Sequence, residues 1–288
     1  MKKLTGLLCL GLMMAACSKY ADRSVDNPQY EVSNNDILYF NKVVTTDSST
    51  VLYGTAKFRP NYWIQFAESL YIEADGVKYP IVKADSIALG EKIWMPESGM
   101  KDFVLTFGPV PASVDKIDFA EGTPEGWSVW GIDLTGKADY RSVPAGVPAE
   151  LRTAAAFEIV PEPVLKSDST IVNIHLQGYR PEMGATASYY VNSIDGQTSA
   201  DDAVTIDPEG NATVRLMLYG PARFVFMGQE QAFGFGVTLA PGEDVDVYAD
   251  TRYRAQVRNV PEGETFKPYD YIWSNGHYAE ADRQRNLN

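Results

Sequence analysis

From Ile37 to Val260 apolar and polar residues alternate in short runs punctuated by Gly, Pro, Asp and Asn. A period of two is the mark of half-buried β-strands. "ILYFNKVV" and "STVLYGTAKF" flank the polar turn "TTDSS", and "SLYIEADGVKYPIV" alternates on either side of Asp75-Gly76. Asp-Gly suits a type I′ hairpin because both residues tolerate positive φ. "DFVLTFGPVP" ends at Pro109 and Pro111, which lack a ladder donor. With "KIDFAEG" and "WSVWGIDL", about seven or eight strands predict a β-sandwich over residues 36–135. A second set, from "TIVNIHLQGY" through "ATASYYVNSI", "AVTIDPEGNATVRLMLYG", "ARFVFMG" and "QAFGFGVTLAPGEDVDVYAD" to "YRAQVRNV", predicts another sandwich over residues 169–262. "DPEGN" (Asp207 to Asn211) reads as a turn, and the glycines at Gly234 and Gly236 predict a bulge.

The segments between have other characters. Residues 17–35 are polar and read as a flexible tether. Residues 136–168 carry Pro144, Pro148, Pro161 and Pro163, and "PAELRTAAAF" predicts a short linker helix with Pro148 at its first position. The tail 263–288 loses strand alternation, and "HYAEADRQRNLN" reads as the start of a helix. The expected fold is therefore all-β: two consecutive sandwiches, Ig-like or jelly-roll-like, with a short helix in the linker.

The N-terminus changes the picture. Lys2 and Lys3 precede an apolar run to Ala16, and small residues precede Cys17. This is a secretory signal, 1–16, too short to span a bilayer as a mature helix. "MMAAC" resembles a bacterial lipobox with Met14 in place of the usual Leu, so Cys17 is the expected lipidation site and the membrane the expected first partner. Cys9 and Cys17 are the two cysteines, so a chain cleaved and acylated there would have no free thiol for redox chemistry. The net charge of −13 becomes more negative on cleavage, because residues 1–16 hold two lysines and no acid. Such a surface repels nucleic acid and anionic lipid.

Three stretches carry a family resemblance: "GEKIWMPESGMKDFVLTFGPVPASVDKIDFAEGTPEGWSVWGIDL", "VPEPVLKSDSTIVNIHLQGYRPEMG" and "LAPGEDVDVYADTR". They resemble the N-terminal half of envelope-anchored thioredoxin-like disulfide reductases of the TlpA type. The resemblance implies a lipoprotein of a Gram-negative cell envelope whose two β-domains precede a helical stretch and a thioredoxin domain. It implies a thioredoxin-like domain or another envelope protein as partner. The family's dithiol has no counterpart here, since the chain has no Cys-x-x-Cys.

Candidate chemistry is sparse. His175 lies inside a strand and His277 in the tail, without the three or four convergent ligands that zinc requires. Glu243, Asp244 and Asp246 would suit calcium in a loop, but on a strand they alternate toward solvent. There is no nucleophile elbow, phosphate loop or marked carboxylate pair, and no cofactor motif. The aromatics are more informative. Trp63, Trp94, Trp127 and Trp130 fall in the first sandwich with Tyr53, Tyr62 and Tyr71, and exposed indoles can stack on sugar rings. Trp127 and Trp130, three apart, should face opposite sides of a regular strand. The expected function is a non-catalytic binding or scaffolding module, with a surface glycan-binding lipoprotein as the alternative.

Overall fold

The computed structural model describes residues 19–123, 126–153, 160–193, 198–228, 233–260 and 263–287. The signal 1–16, Cys17 and the last four residues of "PAELRTAAAF" lie outside them. The first unit comprises β1 (Arg23–Asp26), β2 (Val32–Ser33), β3 (Leu38–Thr45), β4 (Thr50–Lys57), β5 (Trp63–Ile64), β6 (Tyr71–Ala74), β7 (Val77–Asp85), β8 (Ile93–Trp94), β9 (Met100–Phe107), β10 (Lys116–Ala120) and β11 (Ser128–Asp133). Nine of these form one sheet in the order β1-β3-β4-β9-β7-β6-β10-β11-β2, and β5 pairs with β8 as a separate ribbon.

That sheet closes over itself at β7. Residues 77–80 pair with β6, whereas residues 81–85 pair with β9 across an irregularity between Ile81 and Lys83. A strand that changes partners at such a bend makes the corner of a sandwich. Phe103, Leu105 and Phe107 from one wall meet Ile72, Phe119 and Val129 from the other in one core. The Asp75-Gly76 hairpin forms as expected, with φ of 49° and 76°.

The second unit comprises β12 (Asp168–Gln177), β13 (Thr186–Asn192), β14 (Thr198–Thr205), β15 (Asn211–Leu218), β16 (Ala222–Gly228), β17 (Gly234–Leu239), β18 (Asp244–Asp250) and β19 (Ile272–Ser274), with helices α1 (Tyr253–Arg258) and α2 (Ala279–Leu287). Two four-stranded sheets, β15-β12-β18-β19 and β14-β13-β16-β17, face each other. The fold is all-β. β12 buries Thr170, Val172, Ile174 and Leu176, and β16 buries Phe224 and Phe226, as strict alternation requires.

Four expectations are corrected. The tether is not featureless to residue 35: β1 pairs with β3 and β2 with β11, because Arg23 donates to the Val114 carbonyl (2.6 Å) and Val32 is buried. "YRAQVR" is helix α1 rather than a strand. "GFG" contains no bulge, since β17 pairs with β16 in unbroken register. The tail does form the expected helix, α2, but it also holds a strand the alternation did not show: Ile272–Ser274 joins β18 and Trp273 is buried. In the linker, the described part of the expected helix is a single 3-10 turn, Ala149–Leu151.

The two units exchange residues across their junction. Val32 and Trp130 of the first sheet belong to the second core, while Ala255 of α1 belongs to the first. A bulge accompanies the exchange. Phe119 opposes Val129 and Ile117 opposes Ile132, so Trp130 and Gly131 together face Asp118. Val129 and Ile132 thereby both point into the first core, and Trp130 is turned outward into the second. Gly131 has φ 69°, and a Cβ there would lie 2.5 Å from the Glu31 side chain. Asp118 locks the bulge: Oδ1 accepts the Gly131 N–H (2.7 Å) and Oδ2 accepts Arg180 from the second unit (2.5 Å). Gln256, fully buried on α1, donates Nε2 to the Tyr30 carbonyl at 2.8 Å. At the foot of α1 the buried Asp250 carboxylate is gripped by Arg252 through two contacts of 2.8 Å. Burial pushes the Asp250 carboxyl above its ordinary range, and Arg252 opposes that shift.

Replacing Trp130 with Ala is expected to lower stability by about 3–5 kcal/mol, and Gly131→Ala by about 1–3 kcal/mol. Urea denaturation checks both; losses below about 0.5 kcal/mol, the range of inert surface changes, would contradict this account of the junction.

Candidate functional site

The four tryptophans separate into two pairs. Trp63 and Trp94 lie directly opposite each other in the β5–β8 ribbon, so both indoles project from one face. They are 43% and 65% exposed. The local sequence explains it. In "WIQF" (Trp63 to Phe66), Ile64 and Phe66 are buried and Trp63 and Gln65 are left outside. In "IWM" (Ile93 to Met95), Met95 is buried and Ile93 packs on the core, which leaves Trp94 outside. The Met95 N–H donates to the Tyr62 carbonyl at 2.8 Å and holds the two arms together.

Trp127 and Trp130 do not join this surface. Trp127 is partly buried against the first core, edge-on to Phe66 at 5.5 Å, and Trp130 is buried in the second core. They do diverge to different sides, as their spacing suggests, but neither is exposed as a stacking face. Of the tyrosines, Tyr62 is 54% exposed and adjoins Trp63 in the chain.

Two neighbours escaped the sequence reading. Lys92 places Nζ 4.4 Å from the centre of the Trp63 ring, a cation–π contact that leaves Trp94 as the barer indole. Glu121, buried at 6% exposure, accepts the Ala67 N–H through Oε1 and the Trp127 N–H through Oε2, both at 3.0 Å. It thereby pins the segment that follows β5. Nothing in the sequence distinguishes Glu121 from the other acids; its role comes from burial. That burial raises its carboxyl above the ordinary range, and the two N–H donors oppose the shift.

The other candidates sit in structural settings. His175 stacks on Tyr248 (4.5 Å between ring centres), with Nδ1 2.9 Å from Asn211 Oδ1. His277 Nε2 lies 3.2 Å from the Glu162 carbonyl. Asp244 and Asp246 accept from Asn173 at 2.8 and 3.3 Å, and Glu243 accepts the Ala240 and His277 N–H groups. Among the described residues no group of three or more His, Cys, Asp or Glu is placed to hold a metal ion. Among them, too, no helix is long and apolar enough to cross a membrane.

No protein-family model and no curated protein matches the chain. Among solved structures it is similar in part to pullulanase type I from Bacillus subtilis str. 168 complexed with maltose: 9% identity, TM-score 0.25, covering 67% of this chain and 23% of that one. A pullulanase from Anoxybacillus sp. LM18-11 gives 10%, 0.25, 67% and 24%, and the Bacillus anthracis TIE protein 9%, 0.20, 80% and 40%. The chain thus spans about a quarter of the length of these pullulanases. Overlap at these TM-scores assigns neither a family nor a function.

The raised Glu121 carboxyl sets a pH dependence. Folding favours its protonated form, so its stabilising contribution is complete below the ordinary carboxylate range and is lost as pH rises through the elevated folded value. Glu121→Gln is expected to remove that component: the stability of the wild type relative to the variant should decline as pH rises through that interval. A pH-independent difference in chemical denaturation would contradict it.

Proposed function

We propose that the protein is a non-catalytic binding module of the cell envelope, held by lipid at Cys17, and that the Trp63–Trp94 ribbon is its ligand face, taking a saccharide. One observation carries this reading: two tryptophans are kept 43% and 65% exposed on one face of a ribbon while their chain neighbours Ile64 and Met95 are buried. Indoles bury large areas when they can, so leaving two outside side by side forgoes several kcal/mol, of the order of 2 each. A sugar ring presents apolar C–H faces to an indole and hydroxyls around it, and Lys92, over the Trp63 ring, supplies a donor beside the barer Trp94. The acidic surface disfavours nucleic bases as the stacking partner.

The resemblance to the β-half of thioredoxin-like reductases belongs to the same proposal. It supports an envelope setting and a role beside a partner that carries the redox chemistry.

Titration with soluble oligosaccharides of envelope and dietary type, followed by tryptophan fluorescence and calorimetry, tests the ligand. Trp94→Ala and Trp63→Ala are each expected to weaken binding roughly tenfold or more while leaving the melting temperature nearly unchanged. Trp127→Phe should bind as wild type. Absence of saturable binding across the panel, or unaltered binding by both alanine variants, would refute the saccharide assignment.

A further inference from the structure

A cavity of about 430 Å³ opens at the end of the second sandwich, away from the tryptophan ribbon. Its size falls in the range of small-molecule sites, about 300–1,000 Å³. Phe233, Tyr271, Tyr253 and Val257 give it an apolar lining, and Arg254 and Arg258 bring two positive charges to it. The aromatic wall is built of ring contacts. Tyr253 lies flat on Tyr271 at 3.6 Å between ring centres and meets Tyr269 edge-on at 5.0 Å and Phe266 at 5.7 Å.

The charges are arranged unusually. Arg254 and Arg258 are four apart on α1, so they share a face, and like charges at that spacing repel. Arg258 is tied across the junction, to the Asn35 carbonyl at 3.1 Å and to the exposed Asp36 at 3.5 Å. Burial and the neighbouring Arg258 both depress the Arg254 guanidinium pKa, with Asp36 opposing. Asp250 also lines the cavity, but both its oxygens are taken by Arg252. An anion entering the cavity would meet the two guanidinium groups that line it, and its ring would lie against the aromatic wall. A dianion such as phosphate fits less well, because the Asp250 carboxylate stands beside it.

We infer that this cavity, formed by α1, the start of β17 and the tail, is a second binding site that takes a small aromatic monocarboxylate. The carboxylate meets Arg254 and Arg258, and the ring packs against Phe233 and Tyr271.

Calorimetric titration of the intact chain with phenylacetate, octanoate and inorganic phosphate tests it. One equivalent of phenylacetate should bind with a dissociation constant of about 1 mM or tighter, ahead of octanoate and phosphate. Arg254→Gln should weaken it at least roughly tenfold. Val257→Trp, which closes the mouth from an exposed position, should abolish it. If one variant does not fold, the other decides. No binding of phenylacetate up to about 20 mM, tighter binding of octanoate or phosphate, or undiminished binding by a folded variant would overturn the inference.

Discussion

The structure depends on a trade of side chains between two sandwiches. Val32 and Trp130 complete the second core from the first sheet, and Ala255 with Gln256 returns the favour from α1. Trp130 reaches across because it follows the inward-facing Val129, and a one-residue bulge after it returns Ile132 to the first core. Asp118 ties that bulge to Arg180 of the other unit. Gln256 would be costly to bury alone; its bond to the Tyr30 carbonyl offsets part of that, though its Oε1 is buried without a partner among the described residues. Interfaces between domains in one chain are commonly polar and yielding. This one contains a buried tryptophan and a buried side-chain hydrogen bond, and should hold the two halves as one body.

That rigidity bears on both proposed binding surfaces. The tryptophan ribbon is anchored by Ile64, Phe66 and Met95 in the first core and by Glu121 beneath the adjoining segment. The arginine cavity is walled by α1, the element that docks on the first unit. Its geometry therefore follows the junction, and a ligand there would act on the same contacts that join the halves. The tail contributes too. β19 extends the sheet of β18, and α2 is fastened where the Asp282 carboxylate accepts Arg223 (2.6 Å) and the Thr238 hydroxyl (2.8 Å).

Much of this was legible in the sequence wherever a strand has one wet face. β12, β16 and the Asp75-Gly76 hairpin follow alternation and turn chemistry directly. The failures have physical causes. β1 and β2 are too short and polar to register as periodic, and they pair only because a sheet edge is there to receive them. "YRAQVR" is ambiguous between periods of two and 3.6, and its tertiary role as the junction helix decides. The tail strand hides among Tyr, Pro and Asp that read as loop. For the site, spacing alone separated Trp127 from Trp130, but it could not show that Trp130 crosses to another core. Nor could it set Trp63 opposite Trp94, which are brought together by β5 pairing with β8 across the intervening β6–β7 hairpin. Arg254 and Arg258 become visible as a pair only once α1 is known to be helical.

The claim that one body is made from two sandwiches is tested most directly by scanning calorimetry of the intact chain. A single transition is expected, with a calorimetric-to-van't Hoff enthalpy ratio of about 1. Two resolved transitions, or a ratio near 2, would mean that the halves melt independently and that the exchanged side chains do not join them.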